Sequence, residues 1–384
     1  MKIARLNNIY FYFLCSQLIF IPIYFYHTPL ISETINTNKA IWMHVIGIFW
    51  SAVGYVTAYF ASFLLIKKNE DKRYSFNNTF YICSYMLIIA GTIIVILQVI
   101  LFVPFIEYIS QLFSGDFNIG LRDAYSLSSY EGGLPGIIKM FAYAPLSVYL
   151  MSLGLLSFTT LNEADTHRLK VLSLVALGVI VIRVFFALDR LTIMAVLLAN
   201  IFIGFKKGYM KNIRYWVFIA LIFLLAHYLS IKRLENVGII DFILLYFKLG
   251  LVNFQLMIET VSEYTYGFST IFAPAYFIFT FFNLPTPSFF DIHSAWEWNP
   301  AQYFSSYAFQ DFGYFYFILF YLIGITLFFI DLKALKQKNI NYSAIYFIVL
   351  YGVVSFLFVP AMRGVDFWVA LFIPLLLNRF AQAH

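Results

Sequence analysis

The chain has 384 residues, of which 62% are hydrophobic and 11% charged, and its mean hydropathy is +0.82. A soluble domain carries about a quarter charged residues, so this composition excludes a water-soluble globular protein and indicates a polytopic membrane protein. The formal charge of +6 would point to an anionic partner in a soluble chain; here insertion topology explains it, and no nucleic-acid-binding module is present.

Taken from the start, Lys2 and Arg5 precede an apolar run ending near Tyr26. No small-residue cleavage site follows, so the run reads as a first span and not a signal peptide. A spanning helix needs roughly 20 apolar residues. That rule places spans at 8–26, 41–66, 79–104, 137–160, 170–188, 191–205, 215–230, 312–330, 342–361 and 365–378. The expected fold class is all-α, a polytopic transmembrane helical bundle of about 10 spans, within roughly 10–12. No 20–50-residue repeat and no Gly/Ser-rich linker divides it, so 1–384 reads as a single transmembrane domain. Cys15 and Cys83 fall inside apolar runs and read as small hydrophobes.

Lys and Arg set the orientation. Lys2, Arg5, Lys67, Lys68, Lys72, Arg73, Arg168, Lys170, Lys206, Lys207, Lys211, Arg214, Lys333, Lys336, Lys338 and Arg379 alternate with the rest and hold 16 of the 25 basic residues. They mark the cytoplasmic side, with both termini there. The outer segments are then 27–40, 105–136, the turn at Asp189-Arg190, 231–311 and 362–364. The large outer loop 231–311 contains two further apolar runs, 239–257 and 268–283. These read as an interfacial amphipathic helix and a re-entrant or surface segment in preference to two more spans, and Pro274, Pro285 and Pro287 favour broken helix there.

Five places gather chemistry. The loop FSGDFNIGLRDAYSLSSYEGGLPGIIK, 113–139, collects Asp116, Arg122, Asp123 and Glu131 among Gly120, Gly132, Gly133 and Gly136. It reads as an anion clamp, Arg122, beside a carboxylate base, or as a solvated loop whose arginine meets lipid headgroups. Arg183 and Arg190 are seven residues apart and on one helix would share a face about 10 Å apart. Two stacked guanidinium groups suit a pyrophosphate in a wet cavity, the alternative being Arg190 on Asp189 or headgroups and Arg183 snorkelling. Lys232-Arg233 follows a span directly and has the position of an interfacial anchor. The stretch FFDIHSAWEWNPAQYFSSYAFQDFGYF combines His293, Trp296, Glu297, Trp298 and Asp311 with aromatics, a platform for sugar rings or an interfacial belt. Arg363 near Asp366 is either a further arginine at a cavity or a closed ion pair. HExxH, P-loop, GxSxG and DxD motifs are all missing, which argues against a metal-dependent transferase using a soluble nucleotide-sugar.

In layout the whole chain resembles the Wzy-type oligosaccharide repeat-unit polymerases of bacterial envelopes. Arg122 with Gly133 fits the arginine, ten residues, glycine pattern of their outer loops, and QDFGYFYFILFYLIG, 310–324, resembles the re-entry of their large loop into the membrane; eleven positions after Arg233 stands Leu244 in place of a glycine. The resemblance implies a GT-C-like glycosyltransferase (lipid-linked oligosaccharide polymerase, O-antigen or capsule type) in the bacterial cytoplasmic (inner) membrane. Its donor and acceptor would be undecaprenyl-pyrophosphate-linked oligosaccharides, with membrane lipid and optionally a chain-length regulator as further partners. It would need no cofactor and no metal. Arg122, Arg190 and Arg233 would hold pyrophosphate with Arg183 in support, and Asp123, Glu131 or His293 would take the acceptor proton. Gly133, Trp296, Trp298, Asp311 and Arg363 would line the substrate. The alternatives are a lipid-linked oligosaccharide flippase or transporter and an O-antigen ligase-type transferase.

Overall fold

A computed structural model describes residues 8–18, 22, 36–62, 73–100, 141–187, 190–231, 239–261, 263–285, 303–357 and 361–383. The calls on Arg122, Asp123, Glu131, Gly133, Arg233, His293, Trp296 and Trp298 lie outside the described residues. Helix dominates the rest. In chain order the elements are α1 (Ile9–Leu18), α2 (Asn38–Ser62), β1 (Arg73–Phe76), α3 (Asn78–Ile100), α4 (Ala144–Phe158), β2 (Thr160–Leu161), α5 (Glu163–Ala187), α6 (Arg190–Lys207) and α7 (Ile213–Ile231). They continue with α8 (Ile239–Thr260), α9 (Phe272–Phe281), α10 (Phe304–Phe312), α11 (Phe317–Asp331), α12 (Ile340–Val354), α13 (Val365–Leu377) and β3 (Ala381–Ala383). Four helical stretches among the described residues are long and apolar enough to cross a membrane: Asn38–Ser62, Asn78–Leu97, Phe141–Phe158 and Phe304–Lys336. The chain is thus an α-helical membrane protein.

Asparagines start many of these helices. Asn8, Asn77, Asn162, Asn212 and Asn339 stand just before α1, α3, α5, α7 and α12, and each side-chain Oδ1 accepts a backbone N–H of the first turn, from Phe11, Phe80, Asp165, Arg214 and Asn341. An N-terminal turn leaves its amide donors without helical partners, and a short polar side chain satisfies one of them at little entropic cost.

Packing divides the chain into two compact units, each assembled from separated segments. The first comprises 1–69, 240–336 and 352–368. Its centre is the crossing of α2 with α11, where backbones meet: a Cβ on Gly54 would lie 2.1 Å from the Tyr321 carbonyl oxygen, and one on Gly324 would lie 2.0 Å from that of Ser51. Tyr10, Tyr55 and Phe328 flank the seam, and Phe304 stacks on Phe356 at 4.1 Å. Helix α8 buries residues 249–255 on every face, which is the pattern of a helix enclosed by protein and not of an amphipathic helix lying in an interface. Helix α9 has 10 residues and reaches only about 15 Å, half the hydrocarbon thickness. A short segment suits 268–283; the interfacial reading of 239–257 does not suit its burial.

The second unit comprises 70–239, 337–351 and 369–384. Here α4 packs on α12 through Gly154, and the rings of Phe158, Phe202, Tyr346 and Phe347 pack together. A three-stranded sheet of order β2-β1-β3 gathers one end of this unit. β1 pairs parallel with β2, Arg73 opposite Thr160, and antiparallel with β3, Ser75 opposite Gln382. Beneath it Asp165, 4% exposed, accepts from the Phe76 N–H at 3.1 Å and the Tyr81 hydroxyl at 2.8 Å. Asp165→Ala strands both donors, and we expect it to lower unfolding stability by about 3 kcal/mol, measured by thermal unfolding in detergent against wild type.

Candidate functional site

A cluster of buried polar groups of the first unit lies where the chain leaves α8, turns through 263–271 and enters α9. This turn lies against the C-terminal end of α10. The last carbonyls of a helix have no helical donor; here Thr265 N–H donates to Gln310 O and Tyr266 N–H to Asp311 O, both at 3.1 Å. Tyr266 has φ 49 and Gly267 φ 99, so the chain reverses sharply at this point. The Asp311 side chain completes the joint. Its Oδ1 accepts from Ser269 N–H at 2.8 Å and from the Thr265 hydroxyl at 2.5 Å, and its Oδ2 accepts from Thr270 N–H at 2.7 Å. The Ser269 hydroxyl donates to Gln310 Oε1 at 2.7 Å. Asp311 and Ser269 are both fully buried.

Arg363 reaches the same turn from the short helical turn Ala361–Arg363. Its Nε donates to the Ser269 carbonyl at 2.7 Å, and the guanidinium lies 3.7 Å from the ring centre of Tyr307 and 5.5 Å from that of Phe272. Tyr307 sits one turn before Asp311 on α10, so both face the 265–272 segment. The ring contact and the Nε bond hold the guanidinium against the turn, and its remaining N–H donors are of the kind that grip an anion. Among the described side chains Arg363 meets no carboxylate. The side chain of Asp366 lies outside the described residues.

The predicted residues therefore separate. Asp311 and Arg363 come together through Ser269, with Asp311 using both oxygens on its own chain and Arg363 half-buried beside it. Arg183 belongs to the second unit. It is 3% exposed, its Nη1 donates to Ala142 O at 2.9 Å, and its guanidinium lies 3.6 Å over the Tyr143 ring. Arg183 and Arg190 fall on successive helices, because α5 ends at Ala187 and α6 starts at Arg190. The seven-residue spacing thus does not stack them on one helix face, and the Arg190 side chain lies outside the described residues.

Thr265, Ser269, Thr270, Tyr307 and Gln310 were not anticipated. Their signal is the polar run Thr265, Ser269, Thr270 inside an apolar segment, matched 40 residues later by Gln310-Asp311. A second polar pair lies in the same unit, where His44 Nδ1 and the Ser305 hydroxyl are 2.7 Å apart, the imidazole beside the Tyr303 ring at 5.2 Å. Among the described residues no three His, Cys, Asp or Glu side chains gather as a metal site.

Compared with protein families, with curated proteins and with solved structures, the chain matches none. Fold and site together define a helical membrane protein with an arginine, stacked on a tyrosine and meeting no carboxylate among the described side chains, beside a turn that a buried carboxylate holds.

Proposed function

We propose that the chain is a Wzy-type polysaccharide polymerase of the bacterial cytoplasmic membrane, with about ten spans, both termini cytoplasmic and 231–311 on the outer face. The acceptor sugar hydroxyl attacks the anomeric carbon of the donor glycan, the bond from that carbon to the pyrophosphate oxygen breaks, and the polyprenyl pyrophosphate leaves. The hydroxyl proton passes to Asp123, Glu131 or His293. Arginines stabilise the charge that develops on the leaving group, so the step needs no metal.

The observation that carries this reading is Arg363, a guanidinium held by the Ser269 carbonyl and the Tyr307 ring with no carboxylate against it among the described side chains, set among apolar helices. An arginine in such surroundings is costly and serves an anion or a polar path. Arg122, Arg190 and Arg233 are assigned to the same diphosphate. The sheet supports the orientation, since β1, β2 and β3 pair with one another and all three adjoin segments whose lysines and arginines mark the cytoplasmic side.

Purified protein in detergent, supplied with lipid-linked repeat units and no membrane gradient, is expected to make a ladder of polymer on a gel. A flippase would return only single repeat units, and a ligase-type transferase would move glycan only when given lipid A core or a protein acceptor.

A further inference from the structure

We propose that Asp311 is the positioning residue for Arg363, an inference that builds on the anion-gripping role given to Arg363 above. The two side chains act through one peptide group. The Ser269 carbonyl and the Thr270 N–H belong to the same planar unit, whose partial double bond keeps the two groups rigidly opposed. Asp311 Oδ2 accepts from the N–H at 2.7 Å, and Arg363 Nε donates to the carbonyl at 2.7 Å. The carboxylate thereby fixes the direction in which the carbonyl points, and the carbonyl fixes the edge by which the guanidinium is held. Hydrogen bonds in series also strengthen one another. Oδ1 secures the preceding peptide through Ser269 N–H and the turn's far side through the Thr265 hydroxyl, so the 269–270 plane cannot rotate without breaking several bonds. Tyr307, on the helix that carries Asp311, supplies the ring on which the guanidinium rests. Asp311 therefore aims Arg363 without touching substrate, and its full burial fits that role.

In Asp311→Asn an amide nitrogen replaces one carboxylate oxygen and, whichever way it turns, faces an N–H donor. Two measurements on the full chain in detergent test the proposal. The first is water exchange of the Arg363 Nε–H, followed by NMR on protein labelled with 15N-arginine, the signal being assigned with Arg363→Lys. In Asp311→Asn this exchange is expected to quicken by about tenfold or more, and in Thr265→Val, which removes one of three donors, by about threefold. The second is binding of farnesyl pyrophosphate, with farnesol as the uncharged control. Asp311→Asn is expected to weaken the pyrophosphate about tenfold and leave farnesol unchanged. The double variant Asp311→Asn, Arg363→Ala is expected to bind no more weakly than Arg363→Ala alone, since residues acting as a unit do not add.

Unchanged Nε–H exchange in Asp311→Asn overturns the proposal; should that variant not fold, unchanged exchange in Thr265→Val does so. Faster exchange, with wild type and Arg363→Ala binding farnesyl pyrophosphate equally, leaves the positioning role standing and removes the anion role of Arg363.

Discussion

Gly324→Ala is expected to leave almost no folded protein in the membrane. The added Cβ would lie 2.0 Å from the Ser51 carbonyl oxygen, and the reciprocal change at Gly54 would lie 2.1 Å from that of Tyr321. Contacts of this kind are essentially never shorter than 3.0 Å, so α2 and α11 would have to separate along the seam that organises the first unit. Lipid tails are as apolar as leucine, and helices in a bilayer associate largely through close packing that small residues permit. Separation therefore forfeits the main attraction between them, a loss of about 3 kcal/mol. Gly178 is the control. It is also inside a helix, nothing lies within 4 Å of its hypothetical Cβ, and Gly178→Ala gains up to about 1 kcal/mol from helix propensity. Membrane-fraction yield and monodispersity on size exclusion separate the two; a well-folded Gly324→Ala protein would refute the backbone-to-backbone approach.

Arg363→Ala is expected to reduce kcat/KM for lipid-linked repeat units by about 10²–10³ while the protein still inserts and purifies. The change removes one hydrogen bond, to Ser269, and a stacking contact, a modest structural loss beside the electrostatic one. Arg363→Lys is expected to recover little, because an ammonium has neither the Nε–H that anchors to the carbonyl nor a planar face for Tyr307. Wild-type polymer length from the alanine variant would remove Arg363 from the reaction.

The membrane class of the fold was legible because hydrocarbon-length apolar runs have one physical use. Helix starts were legible too, in asparagines placed just before those runs, although attention to hydropathy alone passes over them. The candidate site was not. Ser305, Ser306, Gln310 and Asp311 lower the hydropathy of their stretch, so the sequence reading begins the span at 312, whereas helix runs from Phe304 with these residues buried. A polar side chain satisfied by a partner 41 to 94 positions away looks locally like a solvated loop. The break within that stretch is at Gly313, with φ 55 and the Tyr264 ring 2.6 Å from a hypothetical Cβ, a place only glycine fills. Arg183 was conspicuous as a charge in an apolar run, but the ring and carbonyl that receive it come from 142–143, which no helical period connects to it.

The discontinuous make-up of the two units bears on biogenesis. The first draws on 352–368 and the second on 369–384, and β3 joins a strand made some 300 residues earlier. Neither can close while the ribosome is still translating most of the message. The early helices must wait in the bilayer with small-residue seams and strand edges unfilled, a period in which an insertase or membrane chaperone has the greatest opportunity to hold them. Shortening the chain by a few residues near 380 would therefore be felt first as faster turnover of the newborn protein by quality-control proteases.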